Sequence, residues 1–181
     1  MFYRLVRLVA LPIHPIFVFD GPHRPPYKRG KVVTGRSVPT GNASLTTIRL
    51  SKRLIDLFRF PSHIAPGEAE AECAKLQMAG VVDAVMSDDV DSLMFGSNVT
   101  MMNFSKESST GTTAATHVNL YRAQKGEDGR AANVSLDRGA MILFALMSGG
   151  DYLPAGIRKC GPKLAAQIAN AGFGADLLEI I

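Results

Sequence analysis

Apolar residues at Phe2, Leu5, Val6 and Val9 recur at helical spacing, and Pro12 closes the helix they predict. The next apolar run, Pro15-Ile16-Phe17-Val18-Phe19, is short, aromatic and β-branched, which predicts a buried strand ending at Asp20-Gly21. From Pro22 to Asn42 the periodicity disappears and Pro, Gly, Lys and Arg take over, predicting an exposed, mobile basic loop. Leu45, Ile48, Leu54, Ile55 and Leu57-Phe58 then mark a helix over Ser44 to Phe58. A further helix follows Pro66, with Glu68, Glu70 and Glu72 early in it and Gly80 at its end. Val81 to Met86 is the next predicted strand, delivering Ser87-Asp88-Asp89-Val90-Asp91 at its C-terminal end, and Asn98 to Asn103 and His117 to Tyr121 predict two more around the polar segment Lys106 to Thr116. A solvated loop covers Gln124 to Asn133, an apolar helix Arg138 to Met147, a turn Ser148 to Tyr152 and a short helix Pro162 to Ala171. No internal repeat is visible, and the alternation of helix and strand predicts an α/β fold, a mostly parallel twisted sheet flanked by helices.

Composition narrows this picture. Of 181 residues 46% are apolar and 20% charged, enough to bury a continuous core and too few charges for a disordered chain. Twenty Lys and Arg against sixteen Asp and Glu leave a net charge of +4, an excess that suits a polyanionic partner without requiring one. Cys73 and Cys160 lie in apolar or helical contexts without CxxC or Cys/His spacing. That argues against a disulfide framework and a structural zinc site, and for a reducing intracellular compartment. The basic, apolar start is interrupted by Arg7 and lacks a small-residue cleavage site, so it reads as an amphipathic helix and not a secretory signal. No stretch has the length of a transmembrane helix, and no membrane is expected as a partner.

Six carboxylates stand at predicted strand ends, turns or helix starts: Asp20, Glu68, Glu70, Asp89, Asp91 and Asp151. Ligands of open α/β sheets bind at the carboxyl ends of the strands, so Asp20, Asp89 and Asp91 are expected to approach one another, with Glu68 and Glu70 entering from a helix N-terminus. Carboxylates gathered so closely oppose one another's ionisation unless cations neutralise them. Oxygen-only ligands without His or Cys nearby favour Mg²⁺ or Mn²⁺ over zinc. Two such ions about 4 Å apart suit in-line attack on a phosphodiester, one activating a water and the other stabilising the leaving oxygen. Taken singly, each acid has an ordinary explanation, because Glu in a first helical turn favours the helix dipole and Asp after a strand is common turn chemistry. Their joint placement, with no Lys or Arg inside Glu68 to Glu72 or Asp88 to Asp91, is what points to metal-dependent chemistry.

Phe17-Val18-Phe19-Asp20-Gly21, Ala65-Pro66-Gly67-Glu68-Ala69-Glu70-Ala71-Glu72-Cys73-Ala74, Ser87-Asp88-Asp89-Val90-Asp91-Ser92-Leu93-Met94-Phe95-Gly96 and Ser148-Gly149-Gly150-Asp151-Tyr152 resemble, in the same order, the motifs of the flap endonuclease/XPG nucleases. Four ordered motifs over nearly the whole chain are far more specific than one short pattern. Pro25-Pro26-Tyr27-Lys28-Arg29 and the Leu146 to Tyr152 segment most resemble the fungal Holliday-junction resolvase branch. The resemblance implies a PIN-like nuclease core over residues 1–147, with the basic loop 22–42, and a helix–two-turn–helix element over 148–181. It implies metal ligation by all six acids, Asp20, Glu68 and Glu70 serving mainly one Mg²⁺ and Asp89, Asp91 and Asp151 the other. Glu72 and Asp88 fall beside the motif and read as a solvated helix face and a strand-end residue. Lys28 and Arg29 stand where the family places catalytic basic residues against the scissile phosphate, stabilising charge that develops during cleavage. Gly156-Ile157-Arg158-Lys159-Cys160-Gly161-Pro162-Lys163 resembles the family's duplex-holding element, with Gly156, Arg158, Lys159, Gly161 and Lys163 as DNA contacts and a monovalent cation beside them. Gly161 would free backbone N–H groups, Pro162 suits a first helical position, and Lys163 adds charge, which together contact phosphate without reading bases. The implied partner is branched double-stranded DNA, with dimerisation on a four-way junction, and the implied compartment is the nucleus.

The family's chain starts earlier, with a glycine-led terminus, a first strand bearing another metal-binding Asp and a basic helix. Met1 corresponds to a point inside a later helix, so the expected consequence is a sheet short of its first strand and one ion short of a ligand. The Pro22 to Asn42 linker is too short for a long helical arch, which leans away from flap threading. Three readings remain open on sequence: an endonuclease cutting a 5′ flap or four-way junction, a nuclease-like module that binds branched nucleic acid or a protein without cutting, and a Mg²⁺ phosphoesterase of small substrates.

Overall fold

In the computed structural model, which describes residues 1–25, 27–28, 31–32, 42–102, 118–122 and 136–180, α1 (Phe2–Val9) turns Leu5 and Leu8 inward. Phe2, Val6 and Val9 of the expected apolar face are instead substantially exposed. The strand predicted before Asp20 is β1 (Phe17–Phe19), and two short strands that sequence did not predict, β2 (Tyr27–Lys28) and β3 (Lys31–Val32), pair with each other inside the expected basic loop. The helix predicted over Ser44 to Phe58 is α2 (Asn42–Leu57), with Ile55 fully buried. It closes with Arg59 in the left-handed region (φ 59°), Arg59 N–H donating to Asp56 O and Phe60 N–H to Ile55 O. Those are the two bonds of a Schellman closure, here built on Arg where Gly is usual.

β4 (Ser62–Ile64) follows at once and pairs in parallel with β1, placing Phe17 opposite Ser62, Val18 opposite His63 and Phe19 opposite Ile64. Its Ser-His-Ile sequence carries neither alternation nor an apolar run, which is why sequence gave no strand there. α1, β1, α2 and β4 belong to a first compact unit, Met1–Pro26 with Val32–Glu72; the second comprises Tyr27–Lys31 and Cys73–Ile181.

The division falls within α3 (Ala69–Met78). Gly80, at φ +70°, ends that helix, its N–H donating to Gln77 O while Val81 N–H donates to Leu76 O. Val81 is thereby spent on closing the helix and stays largely exposed, so the strand predicted from Val81 shrinks to β5 (Val85–Met86). After the one-turn α4 (Asp91–Met94), β6 (Val99–Met102) runs parallel to β5 and β7 (Asn119–Arg122) antiparallel to β6. The expected segments Lys106 to Thr116 and Gln124 to Asn133 lie outside the described residues. Helices with parallel and mixed pairings make the α/β class that the alternation implies, although hydrogen bonds among the described residues divide the strands into three groups and not one sheet.

α5 (Arg138–Ser148) is capped by Asp137, whose carboxylate accepts from Ala140 N–H at 2.7 Å. It packs against α6 (Pro162–Ile168), the π-type turn Ala169–Phe173 and α7 (Gly174–Ile180), a helix that sequence did not predict. Gly172, at φ +96°, makes the break. Among the described residues no helix is long and apolar enough to cross a membrane.

The α5–α7 contact has no room for a side chain, since a Cβ on Gly139 would lie 2.2 Å from the Gly174 carbonyl oxygen. Gly139→Ala is therefore expected to lower the unfolding free energy by about 1–3 kcal/mol through overpacking. Urea titration followed by circular dichroism checks this, and a wild-type midpoint would show that the two helices separate freely.

Candidate active site

In the first unit, β1 and β4 are parallel and in register, so both leave the pair at the same end. Three backbone bonds then bind the two departing segments: Ala65 N–H to Phe19 O at 2.8 Å, Gly21 N–H to Gly67 O at 2.7 Å and His23 N–H to Pro66 O at 2.9 Å. The segments are so close that a Cβ on Gly21 would lie 1.7 Å from Ala65 O. Glycine after Asp20 is a packing requirement as well as a turn signal.

Asp20 projects from this junction. Its Oδ1 accepts a hydrogen bond from Ala69 N–H at 2.9 Å, capping the first residue of α3 from 49 positions away. Glu72 N–H donates to Glu68 O and opens the helix, so Glu68, buried, and Glu70, half-buried, flank the capped residue. The helix N-terminus offers partial positive charge to all three acids. The other Asp20 oxygen, Oδ2, pairs with Arg24 Nη1 at 2.9 Å. Lys52 Nζ lies 4.6 Å from the centroid of the Phe19 ring, bringing a second cation to the end of β1. Glu72 is not the solvated side chain that its place beside the motif implied. It is only 13% exposed and bonds His63 Nε2 at 2.9 Å, tying α3 to β4.

The second unit holds Asp89, Asp91 and Asp151. Asp89 N–H donates to Ser87 Oγ, Asp91 N–H donates to Asp89 Oδ1, and Ser92 Oγ donates to Asp89 O, each at 3.1–3.2 Å. The turn therefore positions its acids with its own backbone, as Asp and Ser do locally. Behind it Ser92, Ser97 and Thr100 are fully buried, Thr100 Oγ1 donating to Ser97 Oγ and Ser97 Oγ to Val99 O. Asp151 follows α5, with its Oδ2 buried. Gly149 and Gly156 let the chain pass itself there, since a Cβ on Gly149 would meet Pro154 O at 2.6 Å and one on Gly156 would meet Met147 O at 2.5 Å.

The sequence-derived candidates thus fall into two sets, one per unit. Oxygen is the donor type in both, which suits Mg²⁺ or Mn²⁺. Among the described residues, no three His, Cys, Asp or Glu side chains are grouped as a metal centre. Arg29 and the side chain of Lys28 lie outside the described residues. In the C-terminal element Arg158, Lys159, Gly161 and Lys163 are exposed, Lys159 adopts φ 64°, and Gly161 caps α6 ahead of Pro162. Gly156 is half-buried against Met147. Sequence reasoning missed Arg24, Lys52 and His63. For Arg24 the available signal was a basic residue soon after a strand-end Asp; for His63 and Lys52 the partners are set by tertiary contacts.

Comparison with known proteins gives a family match, to the XPG I-region over residues 59–151. The chain is 28% identical over 192 residues to the flap endonuclease GEN homolog 1 of Mus musculus, covering 99% of this chain and 20% of the relative. It is 31% identical over 208 residues to flap endonuclease 1 of Methanopyrus kandleri, covering 99% of this chain and 58% of the relative. Among solved structures, a eukaryotic junction-resolving enzyme GEN-1 binding cesium superposes with a TM-score of 0.74 at 51% identity, over 99% of this chain and 38% of that one. The Holliday junction-resolving enzyme GEN1 in complex with product DNA and Mg²⁺ superposes with a TM-score of 0.72 at 51% identity, over 99% and 39%. The chain thus spans between a fifth and three-fifths of the length of these relatives.

The Asp20 cap separates structure from charge. Asp20→Asn keeps an oxygen for Ala69 N–H and is expected to unfold near the wild-type midpoint, whereas Asp20→Ala is expected to lose about 0.5–2 kcal/mol. Urea unfolding of the two variants checks this; equal losses would mean that the bond contributes nothing.

Proposed function

This chain belongs to the flap endonuclease/XPG family, and on that footing we propose that it is a structure-specific DNA endonuclease, cutting branched DNA at a four-way junction or 5′ flap by metal-assisted phosphodiester hydrolysis. The observation that supports this most is Asp20, carried on the end of β1, bonded to the backbone between Glu68 and Glu70. A strand-end acid and a helix start 49 positions away meet at one locus, as a metal-binding role requires and as solvated turn chemistry does not.

Asp20, Glu68 and Glu70 would hold one divalent ion and Asp89, Asp91 and Asp151 a second. When bound, the two ions would supply an activated water and stabilisation of the leaving oxygen. The chain's own groups set the frame for this. Ala69 N–H fixes Asp20 against α3, and His63 holds Glu72 aside from the cluster. The Ser87 and Asp89 side chains hold the turn that presents Asp91. Lys28 and Arg29 would meet the scissile phosphate, where positive charge stabilises the transition state. The related GEN1 is seen with Mg²⁺ and product DNA, and GEN-1 with cesium, potassium or sodium. Those complexes support Mg²⁺ and a monovalent cation for this chain too, the latter proposed at the C-terminal element.

We assign residues 1–147 to the nuclease core and 148–181 to duplex holding, with Arg158, Lys159 and Lys163 presenting exposed charge to phosphates and Gly156 and Gly161 shaping the turn. Two copies on one four-way junction and action in the nucleus complete the reading.

A labelled four-way junction and a labelled 5′ flap, incubated with the 181-residue chain and Mg²⁺, are expected to be nicked near the branch. EDTA or Asp89→Ala is expected to reduce cutting by about a hundredfold or more, the scale at which a group stabilising the transition state is removed. Branched-DNA binding without Mg²⁺-dependent cutting would replace the enzyme with a binding module. In the same binding assay, Lys163→Ala should weaken all duplexes alike and lower the slope of log affinity against log salt by about 1. An unchanged slope would remove Lys163 from the interface.

A further inference from the structure

Both oxygens of Asp20 are engaged, and by groups of different kinds. Oδ1 is held by Ala69 N–H, a backbone donor fixed by the start of α3, while Oδ2 is held by Arg24 Nη1, each at 2.9 Å. Arg24 is not a side chain that happens to sweep past. Its loop is fastened to the Pro66–Gly67 segment by the Gly21 and His23 N–H bonds, and the closeness of Gly21 to Ala65 leaves that fastening little freedom. The guanidinium therefore stands beside the strand-end carboxylate because the backbone puts it there.

We propose that Arg24 is a positioning residue that occupies Oδ2 of Asp20 in the metal-free protein and withdraws when a divalent cation binds, so that Arg24 sets the metal affinity of the first unit's acidic set. The proposal rests on the reading of Asp20 as a metal ligand. A guanidinium and a divalent ion drawn to the same carboxylate oxygen repel each other, so the ion binds more tightly once the guanidinium has withdrawn. Arg24 could instead help the ion by holding Asp20 in place, but that task is already done by Ala69 N–H on Oδ1. With orientation secured from the other side, losing Arg24 removes a competitor and leaves the ligand where it was. The pair is partly exposed, with side chains 33% and 41% accessible, so the competition is modest and reversible, as a releasable contact must be.

Mn²⁺ binding to the metal-free chain, followed by electron paramagnetic resonance of the free ion, tests this without reference to cleavage. Arg24→Ala and Arg24→Gln are each expected to bind Mn²⁺ about two- to fivefold more tightly than wild type, the scale of an exposed ion pair. Arg24→Lys, which restores a cation able to pair with Asp20, is expected within about twofold of wild type. Arg53→Ala, which removes the same net charge from the exposed Arg53–Asp56 pair, is expected to leave affinity unchanged and so controls for overall charge. Circular dichroism confirms that each variant is folded. Equal or weaker Mn²⁺ binding by the two neutral Arg24 variants, or a gain matched by Arg53→Ala, would overturn the role of Arg24 while leaving the metal reading intact. A wild-type chain that binds no Mn²⁺ would overturn the metal reading and the proposal together.

Discussion

The bond between Ala69 N–H and the Asp20 carboxylate is the contact on which the first unit's acidic set depends. It joins the end of β1 to the start of α3, and everything around it serves to make that meeting possible. The parallel register of β1 and β4 sends both chains out at one end, and Gly21 lets them touch. Without this bond, Asp20 would be a turn residue and Glu68 and Glu70 a helix's first acids, each explained by itself. With it the end of β1 meets the helix start that carries Glu68 and Glu70, where the helix N-terminus offers partial positive charge.

The acidic set of the second unit is built on the opposite plan. Asp89 and Asp91 are two residues apart, and bonds within their own turn orient them. What the tertiary structure contributes there is a buried floor of hydroxyl groups from Ser92, Ser97 and Thr100. Hydroxyls that satisfy one another in the interior resist rearrangement, because breaking one bond strands a buried donor or acceptor. The first acidic set is therefore sensitive to how strands and helix meet, and the second to the integrity of one turn and its support.

This contrast explains what the sequence disclosed. Periodicity located α1 and α2, apolar runs located α5 and the strands β1 and β6, and the boundary signals at Pro66 and Gly80 located α3. It did not locate β4, whose three residues owe their strand conformation to pairing with β1. It also extended β5 backward over Val81, where a residue of strand-forming type is taken by the closure of α3. Among the site residues, the acids were legible because their types, spacing and order form a motif, and Asp89 and Asp91 needed only local chemistry. Arg24, His63 and Lys52 were not, because their partners are chosen by geometry: His63 reaches Glu72 from a strand that sequence did not show, and Lys52 reaches Phe19 from a helix. The expectation that Glu72 is solvated failed for the same reason.

The frame around the acids is made of backbone more than of side chains. Gly21 beside Asp20, and Gly149 and Gly156 around Asp151, each sit where a Cβ would strike a carbonyl within 2.6 Å. Replacing a carboxylate in such a frame changes the charge it presents far more than the path of the chain that carries it, whereas replacing one of these glycines moves the path itself. Fixed backbone with exchangeable charge is the arrangement that preorganised electrostatic sites require, because the groups facing the reacting phosphate do not then spend free energy on reorganising. It also lets a carboxylate such as Asp20 trade one cationic partner for another without the strand end or the helix start giving way.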